Sequence, residues 1–306
     1  MKKKIFSMMM VLILAFAMTA CGSSKDENTS SQTPTEESTT EETPAAQEAT
    51  EEVQDTTQDL SGTIVITGST SVEKIINDMI DEFTALNPNV NVTYTGTGSS
   101  AGIEDSIGGV NTLGVSSRDL KNEESEAGAV SEVFAYDGIA VAVNPANDVT
   151  DISIEDLCKI YSGEITNWNQ VGGKDAEIVV VSREGASGTK SAFEELIGLE
   201  DAGGLTENAM VVEGNGNVQA TVAGDENAIG YVSFSFVDES VKALTVAGVE
   251  ATAENAKAGS YPLSRPFLFV YNSSKELPVE AKAFVEFALS ADGQVFVEEH
   301  GGIVIG

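Results

Sequence analysis

Thr63-Ile64-Val65-Ile66-Thr67-Gly68-Ser69-Thr70-Ser71-Val72 is the stretch on which the fold turns. The β-branched residues from Thr63 to Ile66 suit a strand, and Gly68-Ser69-Thr70-Ser71 forms a short polar loop directly after it. Val72, Ile75, Ile76, Met79, Ile80 and Phe83 then recur at helical spacing on one face. Pro88 ends that helix, Val90 to Tyr94 reads as the next strand, and Gly96-Thr97-Gly98-Ser99-Ser100 opens a second helix. The order strand, helix, strand, helix places the chain in the α/β class. A third unit of the same kind follows, in which a strand from Glu177 to Val181 enters Arg183-Glu184-Gly185-Ala186-Ser187-Gly188-Thr189 and a helix runs from Lys190 to Ile197. The pattern also predicts strands Gly138 to Val143, Ile229 to Phe234 and Phe267 to Tyr271, with helices Ile154 to Tyr161 and Val279 to Leu289.

A helix start presents unpaired backbone N–H groups and the positive end of the macrodipole, which together suit an anion. Ser and Thr add hydroxyl donors, and Gly lets a ligand approach the backbone closely. One such loop means little, because Ser and Thr are also good helix caps. Three of them, each after a strand, point to an oxyanion, and the third carries Arg183, a fixed-charge fork suited to such a ligand.

Composition sets the limits on function. Acidic residues number 49 against 16 basic ones, a net charge of −33, and there is one His. That field repels nucleic acid, and no basic stripe with interleaved aromatics offsets it. One His and one unpaired Cys cannot furnish a zinc or copper shell, so neither metal nor cofactor is expected. Lys2, Lys3 and Lys4, the apolar run Ile5 to Ala17 and then Met18-Thr19-Ala20-Cys21 read as a secretory signal peptide over residues 1–20, too short to span a bilayer. The closing Cys21 resembles the lipobox cysteine of bacterial lipoproteins, which implies lipidation there. Residues 21–60 are rich in Ser, Thr, Glu, Gln and Pro, and read as a disordered acidic tether. Cys158, left without a partner, falls in the apolar pattern of Ile154, Leu157 and Ile160, so a buried, inert thiol is expected.

These loops together resemble those of the PstS-type periplasmic phosphate-binding proteins. Gly68-Ser69-Thr70 is similar to the family's first phosphate loop, Gly98-Ser99-Ser100-Ala101-Gly102-Ile103 to the second, and Gly114-Val115-Ser116-Ser117-Arg118 to the third contact segment. Arg183 followed by Ser187-Gly188-Thr189 matches its most specific signature, and Gly163-Glu164-Ile165-Thr166-Asn167-Trp168 is a further hallmark. The resemblance implies a two-lobed type II periplasmic-binding-protein fold, each lobe a sheet flanked by helices, with two hinge strands. Residues 61–143 and 262–306 would form one lobe and residues 144–261 the other. It further implies a monomeric, non-enzymatic receptor, lipid-anchored to the outside of the bacterial cell membrane. Inorganic phosphate would bind between the lobes and pass to the membrane subunits of an ABC importer. The implied ligand residues are Ser69, Thr70, Ser71, Ser99, Ser100, Ser117, Arg118, Arg183, Ser187, Gly188 and Thr189.

One position departs from the best-known members. Where they carry a carboxylate that accepts the ligand's proton and repels sulfate, this chain has Ser117. Asp137 is the candidate replacement acceptor, with a structural ion pair to Arg118 or Arg183 as the alternative. A preference for phosphate over sulfate of at least ~100-fold is expected, about 2.7 kcal/mol; a general oxyanion receptor is the alternative.

Two enzyme motifs overlap the second loop. Gly98-Ser99-Ser100-Ala101-Gly102 fits the G-x-S-x-G nucleophile elbow, which would make Ser100 a hydrolase nucleophile with His300 as base, although His300 reads as an exposed tail residue. Gly96, Gly98 and Ala101 fit a relaxed dinucleotide fingerprint with Asp119 as ribose-binding acid, but Ser117-Arg118 does not read as the end of the strand such a site requires. An adhesin would explain the anchor and tether and leave the repeated anion loops unexplained.

Overall fold

The computed structural model describes residues 60–305; the expected signal peptide, Cys21 and nearly all of the tether lie outside the described residues. The first elements follow the alternation read from the sequence: β1 (Gly62–Gly68), α1 (Glu73–Leu86), β2 (Val90–Thr95), α2 (Ser99–Gly108) and β3 (Leu113–Ser116). β1 lies between β2 and β3 and runs parallel to both. Ile64 and Ile66 of β1 and Ile75, Ile76 and Met79 of α1 are fully buried between sheet and helix, each contributing about 1.5–3 kcal/mol.

After the short α3 (Asn122–Glu126) comes β4 (Ala129–Val143), a strand of 15 residues. Its first part pairs antiparallel with β11 (Ser264–Asn272), and Ile139 to Val143 pair antiparallel with β8 (Ala228–Ser233). Thus β4 carries the chain from one half of the molecule to the other. The second half is built from β5 (Asp151–Ile152), α4 (Ile154–Ser162), β6 (Val179–Arg183), α5 (Gly188–Leu196), β7 (Met210–Val212), α6 (Gly214–Gly224), β8, β9 (Lys242–Ala243), β10 (Thr245–Val246) and α7 (Ala253–Lys257). β11 returns to the first half, which α8 (Val279–Leu289) and α9 (Ala291–Glu299) complete. Among the described residues the main sheet runs β2-β1-β3-β11-β4-β8-β6-β7, with β9 also on β4.

Two large apolar cores result. One holds Ile64, Ile66, Phe134, Ala135, Phe267, Phe269 and Phe284; the other begins at Ile139 on the same β4 strand and holds Trp168, Phe193, Tyr231 and Leu263. The sequence drew the boundary after residue 143, but Ile139 to Val143 pack in the second core because β8 pairs with them. The cores part at Asp137-Gly138. A Cβ on Gly138 would stand 2.0 Å from Phe234 Cζ, so only glycine lets that ring lie against the strand here.

Cys158 is half-buried rather than buried, because Leu157, Ile160 and Tyr161 take the inner face of α4 and leave it on the flank. Burial pushes its thiol up, and the nearby Glu164 and Asp201 add to this. No helix among the described residues is long and apolar enough to cross a membrane.

Candidate anion site

The Ser/Thr loops meet between the two cores. Ser69 caps the 3-10 turn Thr70–Val72 by accepting from Ser71 N, and its hydroxyl donates to Ser117 Oγ at 2.8 Å. Ser99, the first residue of α2, accepts from Ser117 N at 3.1 Å and lies 3.3 Å from Ser117 Oγ. Ser187 caps α5 by accepting from Lys190 N, and this brings Gly188 and Thr189 up from the other half. Ser71 Oγ and Thr189 Oγ1 are 2.8 Å apart across the cleft. Ser69, Ser71, Ser99, Ser117, Ser187 and Thr189 are all buried. So many enclosed hydroxyls need polar partners, and together they form one donor-rich patch.

Arg183, at the end of β6, is 1 % exposed. Its Nε and Nη2 donate to the two carboxylate oxygens of Glu184 at 2.8 and 2.7 Å, and Nη2 also donates to Thr70 Oγ1 at 3.2 Å. Nη1 has no hydrogen-bond partner among the described residues. Although burial raises the Glu184 carboxyl, the hydrogen bonds and charge of Arg183 hold it below the usual carboxylate range.

Asp137 and Arg118 stand differently from the way the sequence suggested. Asp137 pairs with neither Arg118 nor Arg183. The antiparallel register of β4 and β11 sets Arg265 directly opposite it, and Asp137 Oδ2 accepts from Arg265 Nε and Nη2 at 3.1 and 2.8 Å. Oδ1 accepts from Ser233 Oγ and Phe234 N. Both oxygens are therefore engaged inside the protein. Burial pushes the Asp137 carboxyl up and the Arg265 guanidinium down, while their attraction opposes both shifts. Arg118 gives Nη1 and Nη2 to Glu124 at 2.8 and 2.7 Å, and Nη2 also donates to Ser100 Oγ at 3.1 Å. It lines a cavity of about 790 Å³ beside the site together with Ser191, Glu194 and Glu195.

Sequence reasoning missed Asn215 and Arg265. Asn215, in the first turn of α6, donates from Nδ2 to Thr70 Oγ1 and Ser71 Oγ, both at 3.1 Å, and its Oδ1 accepts from Ser233 N. Gly214-Asn215-Gly216 follows β7, a further strand, Gly loop and helix start that could have been read as such. Arg265 carried a signal of its own as one of only three arginines in an acidic chain.

The enzyme motifs find no support in this geometry. His300 is not an exposed tail residue: it lies at the C-terminal end of α9, with Nε2 2.6 Å from Asp78 Oδ2 on α1. Ser100 Oγ meets Arg118 instead. A strand does end at Ser116, contrary to the sequence reading, so the dinucleotide pattern has its strand. The Gly98 backbone, however, faces the Ala186 carbonyl, where a Cβ would stand 2.8 Å from the oxygen, and Ser100 N at the helix start donates to that carbonyl at 3.1 Å.

Two α/β lobes joined by β4 and β11, with hydroxyl loops and an arginine between them, define a periplasmic-binding-protein fold of the solute-receptor kind. Comparison with known proteins agrees: residues 34–292 match the PBP superfamily domain. The chain is 34 % identical over 253 residues to the phosphate-binding protein PstS of Borreliella burgdorferi, covering 80 % of this chain and 90 % of that one. A putative phosphate ABC transporter substrate-binding protein from Clostridium perfringens, solved with bound phosphate, is 45 % identical with a TM-score of 0.77, covering 80 % of this chain and all of that one. An ABC-type phosphate transport receptor from Vibrio cholerae is 36 % identical with a TM-score of 0.67, over 79 % of this chain and 99 % of its own. The chain belongs to the PBP superfamily and, within it, to the PstS-type phosphate-binding proteins.

Proposed function

We propose that this protein is an extracytoplasmic receptor that binds inorganic phosphate between its lobes and delivers it to the membrane subunits of an ABC importer. The observation that carries the reading is the meeting of the Ser69–Ser71, Ser99 and Ser117 hydroxyls with Ser187, Gly188 and Thr189 from the facing lobe, beside Arg183. Donors from both lobes reach one anion only when the lobes are together, so ligand favours the closed arrangement. The direct ligand set is Thr70, Ser99, Ser117, Arg183, Gly188 and Thr189, with Ser69, Ser71 and Ser187 ordering the loops. Arg118 and Asp137, bonded to Glu124 and Arg265, stand behind it.

Cys21 anchors the protein through lipid, and the acidic tether lets the receptor reach its importer. No catalytic step belongs to this role. Added phosphate should raise the unfolding temperature, by an amount equivalent to about 2.7 kcal/mol at one hundred times Kd; no shift at saturating phosphate would refute the reading. A general oxyanion receptor is the second reading, favoured by one observation: both Asp137 oxygens are already bonded, which leaves that carboxylate unable to reject sulfate.

A further inference from the structure

The sequence contains three arginines, Arg118, Arg183 and Arg265, in a chain of net charge −33. All three are buried, at 5, 1 and 4 % exposure, and each is paired with a carboxylate. An acidic protein that places its arginines only in its interior is using them for something other than surface charge.

We infer that Arg265 is a second ligand arginine of the anion site, reaching the anion through Nη1 from hinge strand β11, with Asp137 as its positioning residue. This rests on the reading of the cleft as an anion site. A guanidinium offers its donors along fixed edges, and Nε and Nη2 share one of them. Glu184 occupies that edge of Arg183, and Asp137 occupies the same edge of Arg265. In each arginine Nη2 then reaches a hydroxyl of the first loop, Thr70 Oγ1 at 3.2 Å for Arg183 and Ser71 Oγ at 3.0 Å for Arg265. In each, Nη1 is buried without a partner among the described residues. Asn215 Nδ2, 3.1 Å from both of those hydroxyls, ties the two arms to one place. Buried N–H groups without acceptors are costly, and a tetrahedral oxyanion beside Thr70 and Ser71 satisfies both.

Arg118 lacks this arrangement. Its Nη1 and Nη2 are both engaged, and Nε alone is without a partner. The carboxylates neutralise Arg183 and Arg265 before ligand arrives, so two cations can be held close together in the interior. The hydroxyls are also set as donors: Ser71 Oγ accepts from Arg265 Nη2 and Asn215 Nδ2, so its own proton goes to Thr189 Oγ1 across the cleft. The anion thus meets donors from β11 as well as from the loops.

Arg265→Lys keeps a cation for Asp137 but lacks the second edge. The double variant Asp137→Asn/Arg265→Gln removes both charges together, so no buried charge is left alone. Each is titrated calorimetrically with inorganic phosphate and, separately, with sulfate, beside the wild-type protein. A loss of at least tenfold in affinity for the anion that wild type binds, in whichever variant folds, supports the inference; affinity within twofold of wild type overturns it. Wild type binding sulfate but not phosphate would refute the phosphate reading while the variants still test Arg265, and wild type binding neither anion would overturn both. A readout independent of variant folding uses the wild-type protein with 15N-labelled arginine. Phosphate, or sulfate if that is the anion bound, should shift the guanidinium signals of Arg183 and Arg265 together, and a shift of Arg183 alone would overturn the inference.

Discussion

Gly188 comes so close to Ser99 that a Cβ on it would stand 2.1 Å from Ser99 Oγ, and 2.7 Å from Ser117 Oγ. The start of α5 in one lobe is therefore in contact with the hydroxyls of the other, which is possible only for glycine. Gly188→Ala should weaken phosphate binding at least tenfold by holding the lobes apart. Alanine is well tolerated inside a helix, so the thermal midpoint of the unliganded protein should move little. Calorimetry and a thermal scan check the two halves of this expectation; unaltered affinity would mean that the contact is not part of the bound state.

Arg183 is the residue proposed to bring fixed charge to the anion from the second lobe. Charge-assisted hydrogen bonds are worth about 1.5–3 kcal/mol each, so Arg183→Ala should lose tenfold or more in affinity. The variant should still fold, because its partner Glu184 is partly exposed and keeps a bond from Gly214 N at 3.3 Å. Affinity like that of wild type would remove Arg183 from the site.

The pairing of Glu184 with Arg183 has a pH signature. Burial raises this carboxyl, yet the bonds from Arg183 leave it below the ordinary range, and Glu124 behaves likewise beside Arg118. A carboxyl with a lowered folded pKa contributes stability that is fully present above its unfolded value, ~4.3 for Glu. That contribution is lost as pH falls through the folded value. Urea midpoints followed into the acid range should fall less steeply for Glu184→Gln than for wild type. Parallel curves would show that the pair adds nothing to the acid transition.

Lipidation of Cys21 predicts that Cys21→Ala releases the protein into the medium. A single acyl chain anchors only marginally, and the lipoproteins whose lipobox this segment resembles carry at least two. Fractionation of cells producing the variant gives the answer, and full membrane retention would contradict the anchor.

Much of this architecture was legible because the strand, loop and helix units are local. Thr63 to Ile66, the helical face from Ile75 to Phe83 and the Arg183 to Thr189 loop each carry their own periodicity or turn chemistry, and the structure places them as read. What escaped depends on pairing across the fold. Only Gly138 to Val143 of β4 was read, because Glu132, Asp137 and Gly138 interrupt the apolar pattern of a strand whose full length is set by β11 and β8. Helix α6 begins Gly214-Asn215-Gly216, poor helix formers, and is held instead by Val218 and Val222 packed over Gly230, where a Cβ would stand 2.7 Å from Val218 Cγ1. Asp137 was singled out for its charge, but its partner is fixed by a cross-strand register joining residues 128 positions apart, which no local pattern reveals.

The central claim is that a phosphate ion is held between the hydroxyl loops beside Arg183. Calorimetric titration of the purified protein with phosphate near neutral pH, repeated with sulfate as competitor, tests it most directly. The account predicts one phosphate bound per chain. Sulfate competing within tenfold of phosphate would select the general oxyanion receptor, and no heat with phosphate at all would contradict the claim.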